Sequence, residues 1–221
     1  MSDAVSFHSQ AAWRWESNYR KRAFSARKGI LRELLAAYDL TGQNWLDAGC
    51  GTGTLARFLA EYKSCHVLGV DASDAMISNC VPAPNTEFRR IGDICETGLT
   101  DAAFDGVLCS SVLEYVPDPR AALIELRRVL KQNGLLLVSV PNSDPIAWWP
   151  ILGVYWLTKY LGPLRLYRYL DYSRHSYSEL RFRRLLESLG FRVEDTRTYG
   201  GVRGFPILGH GTLMMFCAVK L

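Results

Sequence analysis

Trp45-Leu46-Asp47-Ala48-Gly49-Cys50-Gly51-Thr52-Gly53-Thr54 runs an apolar strand into a carboxylate and then into three alternating glycines. Gly51 and Gly53 lack the Cβ atoms that would hold a ligand off the main chain, and they permit the positive φ angles that a tight strand-to-helix turn requires. The turn is a candidate cofactor site. Outward from it, strand and helix periodicities alternate, as a doubly wound α/β fold demands. Strands are expected near 44–48, 67–71, 87–91, 104–110 and 134–140, with helices near 53–62, 74–79 and 119–131 between them. Asp118-Pro119 opens the last of these helices, whose Ala122, Leu123, Leu126, Val129 and Leu130 share one face. A further helix runs from Ser178 to Leu189 and is capped by Gly190. Two strands near 191–198 and 212–219 then complete a seven-stranded, mostly parallel, Rossmann-like sheet.

A chain of 221 residues with 48% hydrophobic content suffices for one core of this kind, and 1–221 is expected to form a single domain. The six cysteines, Cys50, Cys65, Cys80, Cys95, Cys109 and Cys217, form no CxxC pair and read as free thiols in a reducing compartment. Cys50 is a small buried filler rather than a nucleophile. A net charge of +4 gives no ground for expecting nucleic acid, although Arg14, Arg20, Lys21, Arg22, Arg27, Lys28 and Arg32 crowd one N-terminal segment. That segment lacks the apolar core of a secretory signal. Trp13, Trp15, Tyr19 and Phe24, with Ile30, Leu31, Leu34 and Leu35 at helical spacing, predict a folded helix instead of a discarded leader.

Counted from Gly51, the loop fits a dinucleotide fingerprint, with Ala56 in the third glycine position and Asp71 twenty residues on, where a ribose-binding acid belongs. Asp47 argues against a diphosphate, which a carboxylate at the loop would repel, and favours a ligand carrying cationic groups. S-adenosylmethionine carries a sulfonium and an ammonium, and its ribose diol suits Asp71. As plain structural residues, Asp71 and Asp93 would cap turns or helices, and Gly49 would serve close packing.

The chain resembles the class I S-adenosylmethionine-dependent methyltransferases, on landmarks from about Leu46 to Val140, and within them the ubiquinone-biosynthesis type of small-molecule enzyme. Val67-Leu68-Gly69-Val70-Asp71-Ala72-Ser73 resembles the second strand with its ribose acid. Asp74-Ala75-Met76 resembles the helix start that follows it. Ile91-Gly92-Asp93-Ile94 resembles the adenine-binding turn, where the resemblance implies that Asp93 takes the exocyclic amine and the Ile94 backbone meets the ring. Phe104 to Ser111 resembles the fourth strand, Val112-Leu113-Glu114-Tyr115-Val116-Pro117-Asp118-Pro119 the segment after it, and Leu130-Lys131-Gln132-Asn133-Gly134 the hairpin into strand five. The cofactor residues so implied are Asp47, Gly49, Gly51, Gly53, Asp71, Ala72, Asp93, Ile94 and Ser110. The resemblance also implies that residues 1–40 form a helical lid, with Tyr19 a candidate substrate contact, ahead of a cofactor-binding core at 41–141.

Substrate identity belongs to an insertion at 142–177, just past strand five, where open α/β sheets bind ligands. It carries Trp148, Trp149, Tyr155, Trp156, Tyr160, Tyr167 and Tyr169 with Arg165, Arg168 and Arg174. Such a surface suits a large, flat, greasy substrate. The uncharged run from Pro145 to Thr158 is shorter than the roughly twenty residues a bilayer span needs. Two readings remain for 145–170: a lid over the pocket, or an interfacial contact dipping into a membrane. The expected location is accordingly cytoplasmic, with peripheral membrane association as the variant. The closing segment, 178–221, supplies a helix and the last strands, with His210 a further substrate candidate.

Methyl transfer needs an aligned acceptor and, for oxygen, a route for its proton. His175, Glu114 and Tyr115 are the catalytic candidates, with Asp144 and His210 as further candidate bases at the sheet edge. Where ubiquinone-type enzymes show Glu-x-x-Glu-His, this chain has Ser111-Val112-Leu113-Glu114-Tyr115, so the first acid and the histidine are absent and no metal is expected. The expected reaction is O-methylation of a lipophilic aromatic small molecule. Methylation of carbon, nitrogen or a carboxylate on a quinone- or porphyrin-like acceptor, a cofactor-binding subunit without catalysis, and a nicotinamide oxidoreductase are the alternatives.

Overall fold

The computed structural model describes residues 3–15, 17, 22–159, 166–200 and 211–221, so Tyr19, Tyr160, Arg165 and His210 lie outside the described residues. The described chain folds as α1 (Asp3–Gln10), α2 (Ala12–Trp15), α3 (Arg22–Leu34), β1 (Asn44–Ala48), α4 (Thr54–Lys63), β2 (His66–Asp71), α5 (Asp74–Ser78), β3 (Thr86–Arg90), β4 (Phe104–Ser110), α6 (Pro119–Val129), β5 (Leu130–Pro141), α7 (Pro145–Lys159), α8 (Glu179–Ser188), β6 (Phe191–Tyr199) and β7 (Leu213–Lys220).

One seven-stranded sheet runs in the order β3-β2-β1-β4-β5-β7-β6. β1 pairs in parallel with β2 and β4, whereas β7 runs antiparallel between β5 and β6. The order reverses at β1 and β4, and there the carboxyl ends of the strands open a crevice for a ligand. Central strands of such a sheet are covered on both faces and alternate two sets of apolar side chains. Leu46, Val107, Leu136, Val138 and Phe216 pack with Leu123, Leu126, Phe182 and Leu186 of α6 and α8. On the opposite face Trp45, Leu108, Leu137 and Met215 pack with Leu31 of α3 and Leu55, Phe58 and Leu59 of α4.

Two local differences from the sequence reading have clear causes. The helix expected over 119–131 stops at Val129, because Leu130 turns extended while its N–H still closes on the Leu126 carbonyl. The hairpin expected at Leu130 to Gly134 is instead a bulge inside β5: Phe104 pairs with Leu130, the register then jumps to Gly106 with Leu135, and Asn133 takes up the slack at φ 60°. Lys131 Nζ holds the bulge through Asp105 Oδ1 at 2.7 Å.

The N-terminal helices divide by role. α3 is part of the core, with Leu31 and Leu34 buried, whereas α1 and α2 lie over α5, where the Ser9 and Ser73 hydroxyls share a hydrogen bond of 2.7 Å. The insertion is laced shut at its base: Ser143 N–H donates to the Tyr177 carbonyl (2.8 Å) and Tyr177 N–H to the Pro141 carbonyl (3.0 Å). α7 therefore stands as an excursion from the sheet edge.

Candidate functional site

The glycine loop works through backbone shape. Gly49, Gly51 and Gly53 adopt φ of 78°, 55° and 74°, in the left-handed region that side chains with a Cβ avoid. A Cβ on Gly49 would lie 2.3 Å from Val112 Cγ2, and one on Gly53 would lie 2.3 Å from Phe88 Cε1. Gly49 and Gly51 face a cavity of about 1140 Å³, but Gly53 is turned toward Phe88 and off the cavity wall. Its glycine serves close packing of helix on sheet.

Asp71 ties the loop to the second strand. Its Oδ2 accepts the Gly51 N–H and its Oδ1 the Ser73 N–H, both at 2.9 Å. Burial raises the Asp71 pKa while those backbone donors pull it down. Each carboxylate oxygen keeps a second lone pair, so the diol-binding capacity survives the structural role. Asp47, only 2% exposed, is pushed up to about 7, first by burial and then by the negative charge of Asp71. Its Oδ2 is shut from solvent and has no hydrogen-bond partner among the described residues. A cationic group is what such an oxygen calls for.

On the far side of the pocket, Asp93 Oδ1 accepts the Cys95 N–H at 2.9 Å, and Ile94 is buried on the wall. This turn is fixed from behind by Glu125, which accepts both the N–H (2.8 Å) and the hydroxyl (2.5 Å) of Thr97. The Arg128 guanidinium beside Glu125 holds its carboxyl well below the ordinary carboxylate range. Ala72 and Ser110 also reach the wall.

The other half of the cavity is apolar and aromatic. α7 contributes Trp148 and Ile151, the segment at 166–169 contributes Tyr167 and Tyr169, and the turn after β4 contributes Glu114 and Tyr115. Burial pushes Glu114, 3% exposed, up to about 7, while the charge of Arg27 works in the opposite direction. Burial also raises the phenols of Tyr115 and Tyr169. Arg27 Nη2 donates to Ser111 Oγ at 2.9 Å, and Arg168 lines the opening. Among the described residues no cluster of His, Cys, Asp and Glu is placed to hold a metal ion.

Several sequence candidates sit elsewhere. Trp149 is 67% exposed and Trp156 53%, on the outer face of α7, and neither touches the cavity. Tyr155, on the same helix, is buried, and its hydroxyl donates to Asp171 Oδ1 at 2.7 Å. His175 is off the wall, in the irregular segment that leads back to the sheet before α8, next to Arg174, whose N–H donates to the Glu114 carbonyl at 2.8 Å. His8, Trp15 and Arg27 line the cavity but were not singled out as site candidates from sequence. A signal did exist, since Ala4, His8, Ala11 and Trp15 recur at the spacing of one helix face, and all four reach the wall.

A doubly wound sheet with a glycine turn, a ribose-type acid on the next strand and buried carboxylates at the switch point defines a nucleoside-cofactor protein of the methyltransferase class. A family model described as a methyltransferase domain matches residues 18–196, and the chain belongs to that family, the S-adenosylmethionine-dependent methyltransferases. A ubiquinone biosynthesis O-methyltransferase of Neisseria meningitidis is 31% identical over 115 residues, 48% of this chain and 48% of that protein. A probable S-adenosylmethionine-dependent methyltransferase of Mycolicibacterium smegmatis is 31% identical over 161 residues, 72% of this chain and 56% of the relative. The matched region thus spans about half the length of these curated relatives. Among solved structures, the magnesium protoporphyrin IX methyltransferase of Synechocystis PCC 6803 with bound SAH superposes with a TM-score of 0.71 at 21% identity, covering 97% of this chain and 96% of the other. Its fold is shared end to end.

Proposed function

We propose that this protein transfers the methyl group of S-adenosylmethionine to an oxygen of a lipophilic aromatic small molecule. The observation that carries the reading is the two-part cavity. One end offers bare glycine backbone with Asp47, Asp71 and Asp93, and the other offers Trp148, Ile151, Tyr167 and Tyr169. At about 1140 Å³ it exceeds the range of roughly 300–1,000 Å³ for a single small ligand, and so has room for nucleoside and acceptor together.

In this reading Asp71 holds the ribose diol, Asp93 and the Ile94 backbone hold the base, and the Oδ2 of Asp47, which has no hydrogen-bond partner among the described residues, serves the cationic end. Ser110, Ala72, Gly49 and Gly51 shape the surface between them. When bound, the cofactor supplies an electrophilic methyl group. The remaining work of the chain is to align the acceptor, exclude water and manage one proton. Trp148 and Ile151 present a dry wall, and Glu114 with Tyr115 closes the acceptor end beside Arg27.

A second reading has its own support. Arg27 and Arg168 on the wall favour an acceptor bearing an acid, which supports methylation of a carboxylate on a large flat molecule. The outer face of α7, with Ile146, Trp149, Leu152, Trp156 and Leu157 exposed, supports peripheral contact with a membrane from which a greasy acceptor would enter. No helix among the described residues is long and apolar enough to cross one.

The test is transfer of tritiated methyl from S-adenosylmethionine to alkyl hydroquinones and, in parallel, to lipophilic aromatic carboxylic acids. Label in the hydroquinones supports the oxygen-of-phenol reading and label in the acids the second. Cofactor binding without label in either would sink both.

A further inference from the structure

His8 is a histidine on the cavity wall, and it comes from α1 of the N-terminal segment rather than from the sheet. Its ring stands edge-on to Tyr115 (centroids 4.8 Å, 71°) and to Trp15 (5.2 Å, 89°), with Phe7 at 5.1 Å. The helix that carries it is held at both ends of the cavity. Ser9 bonds to Ser73 on the cofactor side, and Phe7 stacks on Tyr172 of the insertion at 4.7 Å. His8 is thereby placed where the cofactor half and the acceptor half meet.

Both ring nitrogens are shut from solvent, and neither has a hydrogen-bond partner among the described residues. A neutral imidazole carries one donor and one acceptor, so this ring keeps a lone pair and an N–H beside the cavity, and an acceptor hydroxyl reaches them once the rings packed around the imidazole shift. Of the other basic groups on the wall, Asp71 and Asp93 accept backbone N–H groups, whereas Asp47 Oδ2 and Glu114 Oε2 have no hydrogen-bond partner among the described residues. Asp47 belongs to the cofactor end, and Glu114 is the competing base that the variants must be read against. Burial lowers the His8 pKa to about 4, so the lone pair is available throughout the physiological range.

We propose that His8 is a catalytic residue, which accepts the hydroxyl proton of the acceptor as its oxygen is methylated. The inference rests on the oxygen-methylation reading above. The acceptor oxygen gains the methyl carbon, the electron pair of its O–H bond stays on oxygen, and the proton passes to the imidazole lone pair. A weakly basic ring is sufficient, because a methylated oxygen that still holds its proton is a far stronger acid than any imidazolium. Supplying this group from α1 ties proton removal to the helix that covers the cavity, so that chemistry waits for closure.

The test compares wild type with His8→Phe and His8→Gln, using a decyl hydroquinone as acceptor probe. Phe keeps the aromatic packing, and Gln keeps a hydrogen-bond acceptor but cannot take a proton. The expected result is a fall in kcat of about a hundredfold or more in both variants, with affinity for S-adenosylhomocysteine within threefold of wild type. Independently of turnover, the imidazole 15N resonances of His8 in the S-adenosylhomocysteine complex, identified by their loss in His8→Phe, should shift when the hydroquinone is added. Recovery of kcat in His8→Gln, wild-type kcat in His8→Phe, or unmoved 15N resonances would overturn the assignment. If the wild-type protein labels no hydroquinone at all, the acceptor reading fails and this inference fails with it. Equal labelling by wild type and His8→Phe defeats this inference alone.

Discussion

The cofactor end and the acceptor end of one cavity are built on opposite plans. The first uses strand termini, backbone N–H groups and three carboxylates whose positions the sheet dictates, with Gly51 and Ser73 bonded to Asp71 at 2.9 Å. The second uses large side chains delivered by α1, α7 and the turn at Arg168–Asp171, which are held by a few ring contacts and single hydrogen bonds. A nucleoside is a fixed shape that rewards a rigid cradle, while an aromatic acceptor is recognised through apolar area that many side-chain sets can supply. The difference predicts that substitutions at the first end are felt in both stability and cofactor affinity, whereas those at the second are felt in turnover and surface behaviour.

The harshest way to break the comparison is Gly53→Ala. The new Cβ would sit 2.3 Å from the Phe88 ring at a φ of 74°, which together should cost about 3 kcal/mol and lower Tm by about 6 to 12 °C. Thermal melts check this, and Phe88→Leu in the same chain should recover part of the loss. No drop in Tm would mean that the loop is not the rigid element described.

Asp71→Ala should weaken S-adenosylhomocysteine binding by about 1.5–3 kcal/mol, read by calorimetry, since it removes the diol acceptor and unties Gly51. An unchanged dissociation constant would refute the assignment.

Asp47 and Glu114 give a pH signature that sharpens the contrast. Both carboxyls are raised to about 7 in the folded chain, against roughly 4 when unfolded, so the native state binds more protons between those values. The stability they contribute is full below the unfolded value and is lost as pH rises through 7. The decline reaches about 1.4 kcal/mol per pH unit for each group at its steepest. Cofactor binding should run the other way at Asp47 alone. Affinity for S-adenosylmethionine relative to S-adenosylhomocysteine, which lacks the sulfonium charge, should rise up to about tenfold from pH 6 to 8, roughly 1.4 kcal/mol. Calorimetry across that range checks it, and Asp47→Asn should flatten the curve while Glu114→Gln leaves it.

The smallest stability effect belongs to the outer face of α7. Trp149→Ser with Trp156→Ser should shift stability by less than about 0.5 kcal/mol, because both side chains are exposed. The same pair should reduce sedimentation with anionic phospholipid vesicles severalfold. Equal sedimentation of wild type and variant would remove the membrane reading.

What the sequence determined by itself was the part of the protein that depends on local rules. Alternating apolar runs placed all seven strands to within a few residues, and the Asp47-to-Thr54 turn with Asp71 and Asp93 identified the cofactor class, because backbone conformation and strand-end chemistry are written in consecutive residues. The bulge in β5 was missed, since it arises from pairing with Phe104, twenty-six residues earlier. The acceptor end was legible only as composition. Nothing local distinguishes Trp148, which faces the cavity, from Trp149, which faces away, until α7 is docked on the sheet edge. Gly53 exchanged a ligand role for packing because Phe88, far along the chain, occupies the space beside it. His8 and Arg27 joined the site, and His175 stayed off its wall, for the same reason: which side chains share a cavity depends on how distant elements pack, and tertiary structure alone decides that.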